Sequence, residues 1–151
     1  MKLCDYLTAK TICLDLKSRQ KNEAVAELVE LLGDNPAVRD RQEFLGAVFA
    51  REIENTTGIG DGVAIPHART DSVADFVAAV GCSKAGVEFN SVDGKPAKLV
   101  ILMGIPKRMV REYLKLLAHL SLLLKQKDFV RSVLAAPDAA GILAAFASHE
   151  E

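Results

Sequence analysis

His67 directly follows Pro66, and both lie just past a glycine-rich run, Gly58-Ile59-Gly60-Asp61-Gly62. Proline has no backbone N–H and pushes Ile65 towards an extended conformation, so His67 is expected at a strand end or on a loop, its ring within reach of a partner's surface. Imidazole is nucleophilic at neutral pH. With an unperturbed pKa of about 6.5 it is mostly unprotonated, and once phosphorylated it leaves readily. Such a ring can take a phosphoryl group and return it. The surroundings required are modest: an acceptor such as a backbone carbonyl on one ring nitrogen, and cations or amides near the other for the phosphate oxygens. Arg51 and the amides of the glycine run could meet the second need. The plainer alternative makes Arg51 and Arg69 solvated charges and His67 an ordinary satisfied histidine.

Other chemistries fit less well. The glycine run is neither GxGxxG nor a P-loop ending in Gly-Lys-Ser/Thr, and a tight turn needing positive φ explains its glycines alone. His67 has no second histidine or cysteine at ligand spacing, and His149 lies in the tail, so no metal is expected. Cys82 could act as a nucleophile with a histidine only if the fold joined them. His119, with Lys115, Leu122 and Leu123 around it, reads as a partly exposed helical residue.

The elements that position His67 follow from hydrophobic periodicity. Thr11 to Leu16 reads as a short strand with Ile12, Leu14 and Leu16 on one side. A helix is expected from about Lys21 to Leu32, closed by Gly33 in a left-handed conformation, before a turn at Asp34-Asn35-Pro36. Asp40 and Glu43 resemble a capping pair for a second helix, with Phe44, Leu45, Val48, Phe49 and Ile53 as its apolar stripe and Arg51 near its C-terminal end. Phe76 to Cys82, Val87 to Phe89 and Leu99 to Met103 are strand candidates, the last two separated by a turn at Asp93-Gly94. Leu99 to Met103 is apolar on both faces and belongs at the centre of a sheet covered on each side. Beyond Pro106 a helix presents Val110, Tyr113, Leu114, Leu117, Leu120 and Leu124. Asp128 and Asp138 are placed to cap two shorter helices, and Ser148 to Glu151 is expected to fray. The expected fold is α/β, a single domain over residues 1–151 built on a mixed central sheet with helices on both faces.

Composition bounds the partners. Lys plus Arg number 19 against 20 Asp plus Glu, a formal net charge of -1, so no broad positive field exists to hold nucleic acid. No apolar run reaches the roughly 18 residues needed to cross a bilayer, and Met1 to Leu14 lacks the pattern of a signal peptide, which favours a cytoplasmic protein. The cysteines, Cys4, Cys13 and Cys82, are widely spaced with no CxxC pair, as expected for reduced thiols.

The string T-T-G-I-G-D-G-V-A-I-P-H-A-R, Thr56 to Arg69, resembles the active-site signature of EIIA domains of the mannitol/fructose class in the phosphoenolpyruvate-dependent phosphotransferase system. The resemblance extends to Leu7-Thr8, Leu14-Asp15-Leu16, Arg51-Glu52, Val87-Glu88-Phe89 and Leu114-x-x-Leu117-Ala118. It implies a mixed sheet between helices, phosphorylation of His67 by the carrier HPr or a nitrogen-branch counterpart, and transfer to a cysteine of an EIIB domain, with no cofactor or metal. It matches Arg51 to the arginine thought to face the phosphohistidine. Thr57, Gly58, Gly60, Arg69 and Tyr113 then make up the expected phosphate surroundings. Tyr113 stands where many members have a histidine. Its hydroxyl can donate a hydrogen bond but carries no charge, so the phosphorylated state would lose about 1 kcal/mol of stabilisation. The opening MKLCDYLTAKTICLDLK is similar to free-standing nitrogen-regulatory EIIA proteins more than to sugar-specific domains. The alternatives are a regulatory binding module with little or no phosphoryl transfer, or a sugar-specific (fructose/mannitol) EIIA component.

Overall fold

The computed structural model describes residues 1–150. Two short 3-10 turns, Leu3–Tyr6 and Ala9–Thr11, lead into β1 (Ile12–Cys13), α1 (Lys21–Leu31), α2 (Arg41–Glu54), β2 (Gly58–Gly60), β3 (Val63–Ala64) and β4 (His67–Arg69). Then follow β5 (Val77–Val87), β6 (Ala97–Ile105), α3 (Val110–Lys125), α4 (Lys127–Ala135) and α5 (Ala139–His149). The sheet order is β1-β5-β6-β3-β2, with β4 also on β6. β6 runs antiparallel to β5 and parallel to β3 and β4, so the sheet is mixed.

β3 and β4 are one strand line interrupted at Pro66. Val63 faces Leu99 and His67 faces Met103, so the register along β6 is the same on both sides of the interruption. Proline cannot donate to the ladder, but its carbonyl still accepts from the Met103 N–H at 3.0 Å.

The run Leu99 to Met103 is fully buried, as its two apolar faces require. Leu99, Ile101, Met103 and Ile105 point to the side covered by α3, α4 and α5, whereas Val100 and Leu102 point to the side covered by α1 and α2. On this second side the sheet is built from small residues where α2 crosses it. Ala64, Ala68 and Gly104 let Phe44 of α2 sit close, and a Cβ added at Gly104 would lie 2.9 Å from the Phe44 ring and 3.0 Å from Val77 Cγ2. This close approach seats α2 against β4, the strand that begins with His67.

Several expectations need correction. The first strand is shorter than Thr11 to Leu16, and Leu14 is 41% exposed while Ile12 and Leu16 are buried. Gly33 is not left-handed; α1 ends on a tightened turn in which the Gly33 N–H bonds the Glu30 carbonyl. In α2, Ile53 is 86% exposed. Phe44, Val48 and Glu52 step by four along the buried stripe, while Ile53 lies about 180° round the helix from Phe44. The proposed strands at Phe76 to Cys82 and Val87 to Phe89 join into the single long β5, with an irregularity between Cys82 and Val87. The core face of α3 is Leu116, Leu120 and Leu123, and Leu114 is 60% exposed. Asp138 caps α5 through the Gly141 N–H, but Asp128 sits inside the first turn of α4 and pairs with Arg131.

The C-terminal segment does not fray through position 150. The Glu150 carboxylate is buried and accepts from the Leu3 N–H at 2.7 Å and the Cys4 N–H at 2.9 Å, with His119 Nε2 at 2.5 Å. One acidic side chain thus satisfies the open backbone donors of the first 3-10 turn and gives His119 a partner.

Two stability outcomes follow. Gly104→Ala should lower unfolding free energy by about 1–3 kcal/mol through overpacking against Phe44, and Phe44→Leu in the same chain should restore part of it. Glu150→Ala leaves one buried and one part-buried backbone donor without an acceptor and should cost about 1–3 kcal/mol, measured by chemical denaturation at neutral pH.

Candidate functional site

His67 opens β4, and its backbone is fixed by the register with Met103. The ring folds back so that Nδ1 lies 2.8 Å from the carbonyl oxygen of Ile65. A carbonyl can only accept, so Nδ1 carries the proton and Nε2 presents its lone pair. Nε2 lies 3.3 Å from the Tyr113 hydroxyl, which can donate to it, with the two rings tilted by 43° at 5.9 Å between centroids. The Arg69 guanidinium packs over the other ring, 5.2 Å from the Tyr113 centroid, and donates to the Lys107 carbonyl.

Around this ring is a cleft of about 380 Å³, walled by Ala47, Ala50, Arg51 and Glu54 of α2, His67, Ala68 and Arg69 of β4, and Tyr113 of α3. Arg51 spends one of its N–H groups on the Asn55 carbonyl at 2.7 Å, an i to i+4 bond that holds the guanidinium near the helix end. Burial pushes the His67 pKa below the ordinary 6.5, the Ile65 hydrogen bond opposes that, and the Arg51 charge lowers it further. The three effects leave a neutral, tautomer-fixed imidazole beside a cation. Such a group is a nucleophile whose attacked product, a phosphoryl dianion, would meet positive charge.

The structure brings together His67, Arg51, Arg69 and Tyr113. It does not bring Thr57, Gly58 or Gly60 to the wall of the cleft. Thr57 is turned towards Glu52, which accepts from its N–H and hydroxyl. Gly58 lies against Ser91, where a Cβ would be 2.5 Å from Oγ. Gly60, Asp61 and Gly62 all have positive φ, at 95°, 55° and 79°, and form the hairpin between β2 and β3. The glycine run therefore does the work of a tight turn. His67 also differs from the expectation of a ring open to a partner: it is 4% exposed, because α2 packs on β4 and Tyr113 stands over Nε2. Cys82 is buried, and burial raises its thiol to about 11, so it is no nucleophile at neutral pH. No group of three or more candidate metal ligands occurs among the described residues.

Sequence reasoning missed Glu52, a buried acid one residue from Arg51. The signal was present in the spacing, since Phe44, Val48 and Glu52 fall on one face of α2.

The family described as phosphoenolpyruvate-dependent sugar phosphotransferase system, EIIA 2, matches residues 5–149. The chain belongs to this EIIA family. It is 36% identical over 151 residues to the fructose-specific EIIABC component of Bacillus subtilis, covering all of this chain and 24% of that protein. It is 37% identical over 125 residues to the fructose-specific EIIA component of Haloferax volcanii, covering 83% of this chain and 81% of the relative. Among solved structures, the nitrogen regulatory protein IIA-Ntr from Neisseria meningitidis superposes with a TM-score of 0.88 at 28% identity, covering 95% of this EIIA chain and 98% of the other. The mixed sheet between two helical layers is thus the fold of the family. No helix among the described residues is long and apolar enough to cross a membrane.

The depressed His67 pKa sets a stability slope. The unfolded chain binds a proton at higher pH than the folded one, so folding stability is full above about pH 6.5 and falls as pH drops below it. Ring NMR should give a His67 midpoint below 6.5, and His67→Asn should flatten this part of the stability profile; a midpoint above 6.5 would contradict the burial and charge assignment.

Proposed function

We propose that this EIIA protein is a cytoplasmic phosphocarrier that accepts a phosphoryl group on Nε2 of His67 from an HPr-like donor and passes it to a cysteine of an EIIB domain or uses it as a regulatory state. The observation that carries this reading is the 2.8 Å bond from Nδ1–H to the Ile65 carbonyl, because it commits the proton to one nitrogen and leaves the other facing a cleft edged by Arg51. Membership of the family supports it.

In the step proposed, the Nε2 lone pair attacks phosphorus in line with the donor's nitrogen–phosphorus bond. A new bond forms at Nε2 as the donor's bond breaks, and the donor imidazole departs with the electron pair. The Nδ1 proton stays on His67, where the Ile65 carbonyl stabilises the positive charge that builds on the ring. Arg51 and Arg69 face the phosphoryl oxygens and Tyr113 can offer them its hydroxyl, so the residues act through position and charge. Tyr113 must first turn from Nε2 to admit phosphorus, and the 4% exposure of His67 means the donor's approach has to open that side of the cleft.

The same covering favours the second reading, a regulatory module with little or no turnover. The fructose-specific relatives support a transport role, whereas the likeness to IIA-Ntr supports nitrogen regulation. Incubation with phosphoenolpyruvate, Enzyme I and HPr should label the chain with acid-labile phosphate, lost in His67→Ala and formed about a hundredfold more slowly in Arg51→Gln. Absence of label from the folded wild type would favour the silent module, and transfer onward to an EIIB cysteine would favour transport.

A further inference from the structure

Glu52 is next to Arg51 in sequence but faces the interior, 6% exposed, on the stripe of α2 that also buries Phe44 and Val48. Its carboxylate accepts from the Thr57 N–H at 3.2 Å and from the Thr57 hydroxyl, and pairs with Lys21 Nζ of α1 at 3.5 Å. Removing a carboxylate from water is costly, and this site offsets the cost with two donors and a cation. Three elements are joined at this one group: α1 through Lys21, α2 through Glu52 itself, and the segment entering β2 through Thr57. That segment leads by way of β3 to His67, and the Ile65 N–H bonds the Thr57 carbonyl at 3.0 Å, so Thr57 is tied at one end to Glu52 and at the other to the residue that holds Nδ1.

The charge of Glu52 also reaches the imidazole, favouring its protonated form where Arg51 disfavours it. The other charged groups walling the cleft are Glu54 and Arg69. A phosphoryl group on Nε2 would therefore face Arg51 with an opposing charge in the protein behind it. A carrier that binds its phosphate too tightly cannot pass it on.

We propose that Glu52 is a positioning residue for phosphoryl transfer, fastening Thr57 and so the Ile65–His67 segment to α2, and offsetting the charge of Arg51 so that phosphate on His67 is held loosely enough to leave. This rests on the phosphocarrier reading above. Glu52→Gln keeps the clamp, because its amide can donate to the Thr57 hydroxyl while its carbonyl accepts the Thr57 N–H, and it removes the charge.

The test measures the His67 ring titration by NMR and the ratio of phosphorylated to free chain at equilibrium with limiting phosphorylated HPr. In Glu52→Gln the ring midpoint should fall below that of wild type and the ratio should rise roughly three- to tenfold. Lys21→Gln removes the neutralising cation from a partly exposed position, and should move both readings the opposite way. If Glu52→Gln does not fold, Lys21→Gln carries the test. Folded variants with wild-type titration and ratio overturn the assignment, as does a shifted titration with an unchanged ratio. Wild type that takes no phosphate overturns the phosphocarrier reading and this assignment together, whereas labelled wild type with unmoved variants overturns this assignment alone.

Discussion

The hydrogen bond from His67 Nδ1–H to the carbonyl of Ile65 is the constraint on which the rest of the site depends. It fixes the tautomer, aims Nε2 into the cleft and offers a dipole to the charge that would build on the ring. It exists because Pro66 lies between the two residues. Proline leaves the ladder one donor short and keeps Ile65 extended, so the strand line along β6 breaks at Ile65-Pro66 and resumes in the same register. In that break the Ile65 carbonyl is available to the ring two residues on, instead of to a neighbouring strand.

Burial and charge then act against each other on the same ring. The packing of α2 on β4 and the Tyr113 hydroxyl remove His67 from solvent, which favours neutral imidazole, and Arg51 adds to this. The carboxylate of Glu52 opposes them. A neutral ring is the nucleophilic form, while a moderated positive field suits a phosphoryl group that has to arrive and depart. Tyr113 in place of a histidine fits that balance, since it can meet the oxygens with a hydroxyl without adding a further cation.

These charges meet only because α2 lies close on the sheet. Helix-to-sheet distance is set by the side chains between them, and Ala64, Ala68 and Gly104 leave room for the ring of Phe44 at the crossing. Arg51 and Glu52, both about two turns past Phe44 on the same helix, point about 100° apart: Arg51 to the cleft and Glu52 to the Thr57 clamp. Outside the cleft, Glu150 serves a comparable purpose for the first turn of the chain.

Much of this was legible in the residues themselves. The doubly apolar run Leu99 to Met103 dictated a covered central strand, the Asp40 and Asp138 caps marked helix starts, and Pro66-His67 marked the position proposed to react, because each rests on short-range periodicity or on the covalent geometry of a single residue. The wider family resemblance, outside the Thr56–Arg69 string, singled out Arg51 and Tyr113 as well. What the sequence could not supply was direction. Thr57, Gly58 and Gly60 lie close to His67 in the chain yet face Glu52, Ser91 and the hairpin, and the Glu150 carboxylate returns to the first turn from the other end of the chain. The burial of His67 under Tyr113 was decided by the docking of α3, and the inward turn of Glu52 by the seating of α2. Such outcomes depend on contacts between residues distant in sequence, which local pattern does not encode, and only the packed sheet and helices determine them.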